Sequence, residues 1–277
     1  MRIVPILRRW ARIGTVASSL FLCGSAWADT FTVGIVPQFE PRMLVEIWAP
    51  ILSELEHRTG HQFQLVASPQ IPDFEQALLQ GAFDFAYMNP YHFVIASEAQ
   101  GYTPVVNDAG RELFGVLVVA AHSDIHTVSD LEGGTIAFPA PNALGAALLM
   151  RSDLDRIFGL SYEAHYVGTH SSAYLNVILG RMDAAGGVRA TLDANPAYRN
   201  SLRIIHETTR LPTHPFAAHD RIAADTVAAV AAAFLAMNTT EDGQAMLARV
   251  PFDHVAPANT AQYDILKELN LKTYWIE

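Results

Sequence analysis

The sequence predicts an α/β protein of two lobes, with two crossings of the chain between them. Three observations support this. Short runs of β-branched and aromatic residues alternate with helical patterns, as in Phe31–Val36 followed by Arg42–Arg58. The alternation occurs in two sets, which implies two largely parallel sheets covered by helices. Between the sets lies the long apolar run Leu113–Ala120 and a polar stretch from His122 to Gly134, a natural place for the chain to pass from one sheet to the other.

The N-terminus carries Arg2, Arg8, Arg9 and Arg12, then the apolar run Ile13–Cys23, then Ala26-Trp27-Ala28. Basic, apolar and small-x-small is the layout of a secretory signal, here with cleavage expected after Ala28 and export to the periplasm. The uncharged stretch falls short of the roughly 20 apolar residues of a membrane span, and Leu22 is large for a lipoprotein site at Cys23. Cleavage removes the one cysteine and four of the 18 basic residues. That leaves 14 against 28 acids, so the formal net charge moves from −10 to −14. Such an acidic chain is a poor partner for nucleic acid or an anionic membrane surface. The expected organisation is a signal peptide over 1–28, the first part of lobe 1 over 29–120, lobe 2 over 121–206, and the return into lobe 1 with C-terminal helices over 207–277.

In the first lobe, Gly60 stops the helix that starts near Arg42. Gln62–Val66 is a strand, Asp73–Gln80 a helix stopped by Gly81, Phe83–Tyr87 a buried strand, and Pro90 opens a helix to Ala99. The second lobe repeats the pattern. Strand Thr135–Phe138 precedes helix Ala143–Arg156, strand His165–Val167 precedes helix Ser172–Leu179, and strands follow at Ala184–Val188 and Leu202–His206. Beyond Ala217 the sequence reads as mostly helical.

Ligands of open α/β sheets bind beyond the carboxyl ends of strands, where helix N-termini offer N–H donors. Tyr87, Asn89, Tyr91 and His92 crowd such a turn in the first lobe. Asn142, His170 and Ser171 occupy equivalent turns in the second, with capping as the plainer role of Asn142 and Ser171. Arg42, after the first strand, is a candidate charged partner for an anion, and His214, in Pro212-Thr213-His214-Pro215, a candidate on the return. No Gly-x-Ser-x-Gly, phosphate loop or Cys–His pair is present, so no enzyme is indicated. Asp183 reads as structural. His122 and His126 read as a surface loop, and no metal or cofactor is assigned, although His92, His170 and His214 would suit a metal if they converged.

Three stretches together carry a family resemblance. Gly81-Ala82-Phe83-Asp84-Phe85-Ala86-Tyr87-Met88-Asn89-Pro90, Ser129-Asp130-Leu131-Glu132-Gly133-Gly134-Thr135-Ile136-Ala137-Phe138, and His170 through Ala185 resemble the motifs of the phosphate/phosphite/phosphonate-binding (PhnD-like) periplasmic proteins. The resemblance spans nearly all of Asp29–Glu277. It implies a type II periplasmic binding protein fold with two hinge crossings, and a non-enzymatic, monomeric role. The ligand would be a small phosphonate- or phosphite-like oxyanion, and the partner an ABC transporter permease. A sensor subunit for a membrane histidine kinase and a His-based metal-binding protein are the alternatives.

The sequence departs from that family at two places. Pro139-Ala140-Pro141-Asn142-Ala143-Leu144-Gly145 carries no hydroxyl where relatives have a Ser/Thr-rich loop, and Asn89 replaces a glycine. Weakened phosphonate binding is therefore expected, and serine at Ala140 and Ala143 is expected to strengthen it. With few cations in view, a protonated His92 or His170 is expected to supply charge, so that anion affinity rises in mild acid.

Overall fold

The structure, a computed structural model, describes residues 28–250 and 252–276. All of the expected signal segment except Ala28 lies outside the described residues. Among those described, no helix is long and apolar enough to cross a membrane.

The first lobe follows the sequence pattern closely. Strand β1 (Thr30–Ile35) leads to helix α1 (Pro41–Thr59), which starts with proline at its first position and ends on Gly60 in the left-handed region (φ 74°). Next come β2 (Gln62–Val66), α2 (Ile71–Leu79), β3 (Phe85–Tyr87) and α3 (Pro90–Gln100). A further strand, β4 (Thr103–Asp108), was not expected from the pattern.

The chain then crosses to the second sheet. There β5 (Gly115–Ala120), β6 (Thr135–Phe138), β7 (Glu163–Tyr166), β8 (Ala184–Val188) and β9 (Leu202–Glu207) form one sheet in the order β7-β6-β8-β5-β9. A single π-type stretch, Leu144–Leu149, runs into α4 (Met150–Arg156), and α5 spans His170–Ile178. The predicted helix from Ala143 thus forms with a widened first turn. A Cβ on Gly145 would lie 3.0 Å from the Gly115 nitrogen, so two glycines allow this close contact between helix and crossing strand.

The chain returns between β9 and β10 (Phe216–Ala218), and β11 (Val255–Pro257) completes the first sheet in the order β11-β4-β10-β3-β1-β2. Strands β10 and β11 pair antiparallel to their neighbours, whereas β1, β2 and β3 are parallel. The two crossings run side by side: Leu113 and Leu211 exchange backbone hydrogen bonds at 2.8 Å in both directions.

Each sheet has its own apolar core, but Leu144, Leu148 and Leu149 of the second-lobe helix pack into the first-lobe core. The tail reinforces that join. Leu266 and Leu271 are buried in the first-lobe core, while Arg156 of the second lobe donates to the carbonyls of Leu269 and Asn270 at 2.8 and 3.2 Å.

Candidate functional site

Strand β3 ends in Tyr87, whose ring stacks on His214 from the return crossing, with centroids 5.3 Å apart and planes 27° from parallel. Trp48 of α1 closes on the same tyrosine at 4.9 Å. Burial pushes the Tyr87 phenol well above its ordinary range, with nearby Asp108 and Tyr263 adding to the effect, so it serves as a neutral hydroxyl.

His214 receives a hydrogen bond from the Gln38 amide nitrogen at 3.0 Å. An amide nitrogen only donates, so His214 Nε2 accepts and its proton sits on Nδ1. Burial, helped by the nearby rings of His92 and His170, lowers its pKa to about 3. Three candidate residues from different elements therefore share one electrostatic neighbourhood. His170, the first residue of α5, is buried and neutral, its pKa lowered to about 4 by desolvation, and its Nδ1 has no hydrogen-bond partner. The expected charging of His170 in mild acid is thus corrected: desolvation disfavours the imidazolium until well below about pH 6.

Asn89 and Asn142 link the lobes. Asn89 Nδ2 donates to the Asn142 carbonyl at 3.3 Å. The Asn142 side chain donates to Glu75 Oε2 at 3.0 Å and to the Ile276 carbonyl at 2.7 Å, and accepts from the Ile276 N–H at 3.0 Å. Glu75 Oε1 meets His92 Nε2 at 2.8 Å, and His92 Nδ1 is buried without a partner. Glu75 gave no motif. The signal available was a carboxylate on the face that Ile71, Phe74 and Leu78 bury, where an acid needs a partner.

Three candidates lie apart from this cluster. Arg42 is at the start of α1 with its side chain 92% exposed, paired to Glu46 one turn on. Ser171 is exposed on α5, and capping falls to Thr169, which accepts from Ser172 N at 3.0 Å. Tyr91 packs on Trp275 (5.7 Å) and lines a groove of about 900 Å³ between α2, α3 and the tail. Glu75 and Asn142 line the same groove.

The N-terminus of α3 is not a free donor, contrary to expectation. Asn89 Oδ1 accepts from the N–H groups of Tyr91 and His92 at 2.9 and 2.8 Å, so the residue in place of glycine caps its own helix. Ala140 and Ala143 are buried in the second-lobe core, so serine at either position would bury its hydroxyl among apolar groups. Among the described residues, no group of three His, Cys, Asp or Glu side chains is placed to hold a metal.

Residues 33–263 match the sequence model of a family described as "ABC transporter, phosphonate, periplasmic substrate-binding protein". The chain belongs to this family. It is accordingly a periplasmic substrate-binding protein of ABC transport, and the transport reading prevails over the sensor and metal-binding alternatives. Solved structures agree on the fold. A binding protein component of an ABC phosphonate transporter from Pseudomonas aeruginosa is 14% identical with a TM-score of 0.79, over 89% of this chain and 88% of that one. PhnD1 from Prochlorococcus marinus, solved with methylphosphonate, is 15% identical with a TM-score of 0.79, over 89% and 99%. The aliphatic sulphonate-binding protein SsuA of Escherichia coli is more distant, with a TM-score of 0.59 at 19% identity, over 88% and 86%. In the first lobe of this chain, the N–H groups of Tyr91 and His92 are taken up by Asn89.

Proposed function

We propose that this protein captures a small organophosphorus ligand between its lobes and presents it to a membrane permease. The convergence of Tyr87, His92, His170 and His214 carries this reading: strand β3, helices α3 and α5 and the return crossing bring them to one place. In this reading Tyr87, His170, His214 and Gln38 meet the ligand. Asn89, Asn142 and His92 hold the two lobes in register, Asn89 through the Asn142 carbonyl and the other two through Glu75. The closed form is what a permease engages, since closure sets the relative position of the lobe edges. The protein acts as a monomer, with the ligand enclosed by one chain.

Thermal shift and calorimetric titration with phosphate, phosphite, methylphosphonate and a sulphonate test the assignment. A ligand at a hundredfold excess over its Kd raises apparent stability by about 2.7 kcal/mol. Stabilisation by an organophosphorus compound, lost in His170→Ala, is expected. Stabilisation by the sulphonate alone overturns the ligand class.

A further inference from the structure

Several donors that could hold a doubly charged oxyanion are committed elsewhere in this cleft. The first free N–H groups of α3 go to Asn89, and that of Ser172 in α5 goes to Thr169. In the loop before Leu144, Pro139 and Pro141 have no N–H, and the Asn142 side chain is occupied by Glu75 and Ile276.

Among the described residues, no lysine or arginine figures in the electrostatics of Tyr87, His170 or His214. The titratable groups around the cleft are Tyr87 on β3, His92 on α3 with Glu75 on α2 behind it, His170 on α5, His214 on the return crossing, Asp108 at the end of β4, and Tyr263 near the C-terminus. Glu75 and Asp108 are carboxylates and favour no anion. What Tyr87, His170 and His214 offer is neutral: a phenol and two imidazoles, of which His170 Nδ1 is buried without a partner. A neutral imidazole pairs one donor with one lone pair, so a complementary ligand brings a donor of its own.

We propose that the cleft selects the singly charged form of an organophosphorus acid, recognising its P–OH group, and rejects the doubly charged form. This deepens the function proposed above and rests on it. A second negative charge would enter a buried site beside Glu75 and Asp108 with no lysine or arginine among the groups that act on Tyr87, His170 and His214, whereas a hydroxyl replaces that charge with a hydrogen bond to a ring nitrogen.

Calorimetric titration of the mature protein with methylphosphonate and with its monomethyl ester, from about pH 6 to about pH 8.5, tests this across the range where a phosphonate loses its second proton. The ester carries one charge throughout. Methylphosphonate affinity is expected to fall about tenfold per pH unit once the ligand's second proton is lost. Ester affinity is expected to stay level. An ester affinity that climbs with acidification assigns the proton to the protein and overturns the proposal, as does methylphosphonate affinity that holds or rises with pH. Phosphorus NMR of bound methylphosphonate at the upper pH guards against steric exclusion of the ester: the signal of the monoanion supports the proposal, and that of the dianion defeats it while leaving the site reading intact. Absence of binding by either compound at every pH overturns both.

Discussion

Asp84 and Asp183 occupy the same position in the two sheets. Asp84 Oδ2 accepts from both the N–H and the hydroxyl of Thr32, each at 2.8 Å, and Asp183 Oδ2 accepts from the N–H and hydroxyl of Thr135, each at 2.8 Å. Each aspartate precedes an inner strand and ties it to the start of a neighbouring strand. The Gly-x-hydrophobic-Asp and Gly-x-x-Asp-Ala-Ala motifs therefore encode sheet construction rather than ligand contact.

The two are expected to differ in energetic weight. Arg221 Nε also donates to Asp84, at 2.7 Å. Burial alone would raise the Asp84 pKa, but the Thr32 N–H and Arg221 outweigh it and bring it below the usual carboxylate range. Asp84→Ala is expected to cost about 2–3 kcal/mol in urea unfolding, the scale for charge-assisted bonds. Asp183→Ala, whose bonds are exposed, is expected to cost about 1 kcal/mol. Equal losses would show that exposure does not separate the two sites.

The neutral histidines predict the acid side of the stability profile. His170 and His214 titrate near their ordinary value when unfolded, and at about 4 and about 3 when folded. The unfolded chain thus binds more protons between those values, and stability rises with pH there. Unfolding free energy is expected to be level in these groups above about pH 7 and to fall by up to about 1.4 kcal/mol per histidine per pH unit as acid is added. His170→Gln should make the slope shallower by about one proton. An unchanged slope would place His170 in a wetter site than the structure shows.

Asn89→Gly should release the N–H groups of Tyr91 and His92 for a ligand. The loss of the cap costs only a few tenths of a kcal/mol, since glycine is itself an acceptable N-cap. Affinity for the doubly charged form of a phosphonate is expected to improve about tenfold, from a helix N-terminus aimed at the anion. Calorimetry at alkaline pH reads this directly, and unchanged or weaker binding contradicts it.

Asn142→Ala should loosen the tail, because it strips partners from Glu75, Ile276 and, through local rearrangement, Asn89. A cost of about 2–4 kcal/mol is expected for the stranded buried groups. Faster amide exchange over residues 271–276 than in the parent distinguishes loss of the latch from general destabilisation, which would raise exchange evenly.

Gly115→Ala should be severe. Its Cβ would stand 1.9 Å from the Gly145 carbonyl oxygen, a clash with backbone that no rotamer relieves. A loss of about 3 kcal/mol or more, or failure to fold, is expected in chemical denaturation. A well-folded variant of parent stability would show that the π-type stretch at Leu144–Leu149 can shift.

The alternation of strands and helices, and hence the two-lobed α/β class, was legible because local period and breaker residues carry it: β2, β6 and β8 match their expected limits, and Gly60 ends α1 through its backbone freedom. Strands β4, β10 and β11 were not legible. They are short or flanked by proline, and they form only because a neighbouring edge supplies their hydrogen bonds. The cleft divides the same way. Tyr87, Asn89, His92, Asn142 and His170 could be singled out by their position at strand–helix turns, since turn position is local. What each does was decided by tertiary packing. Burial fixed His170 as neutral, and the Asn89 amide nitrogen found its acceptor in the Asn142 carbonyl, 53 residues away. Glu75, 67 residues from Asn142 in the chain, became the hub between lobes. Protonation state and hydrogen-bond partner depend on what the folded chain brings near, and no residue type states that in advance.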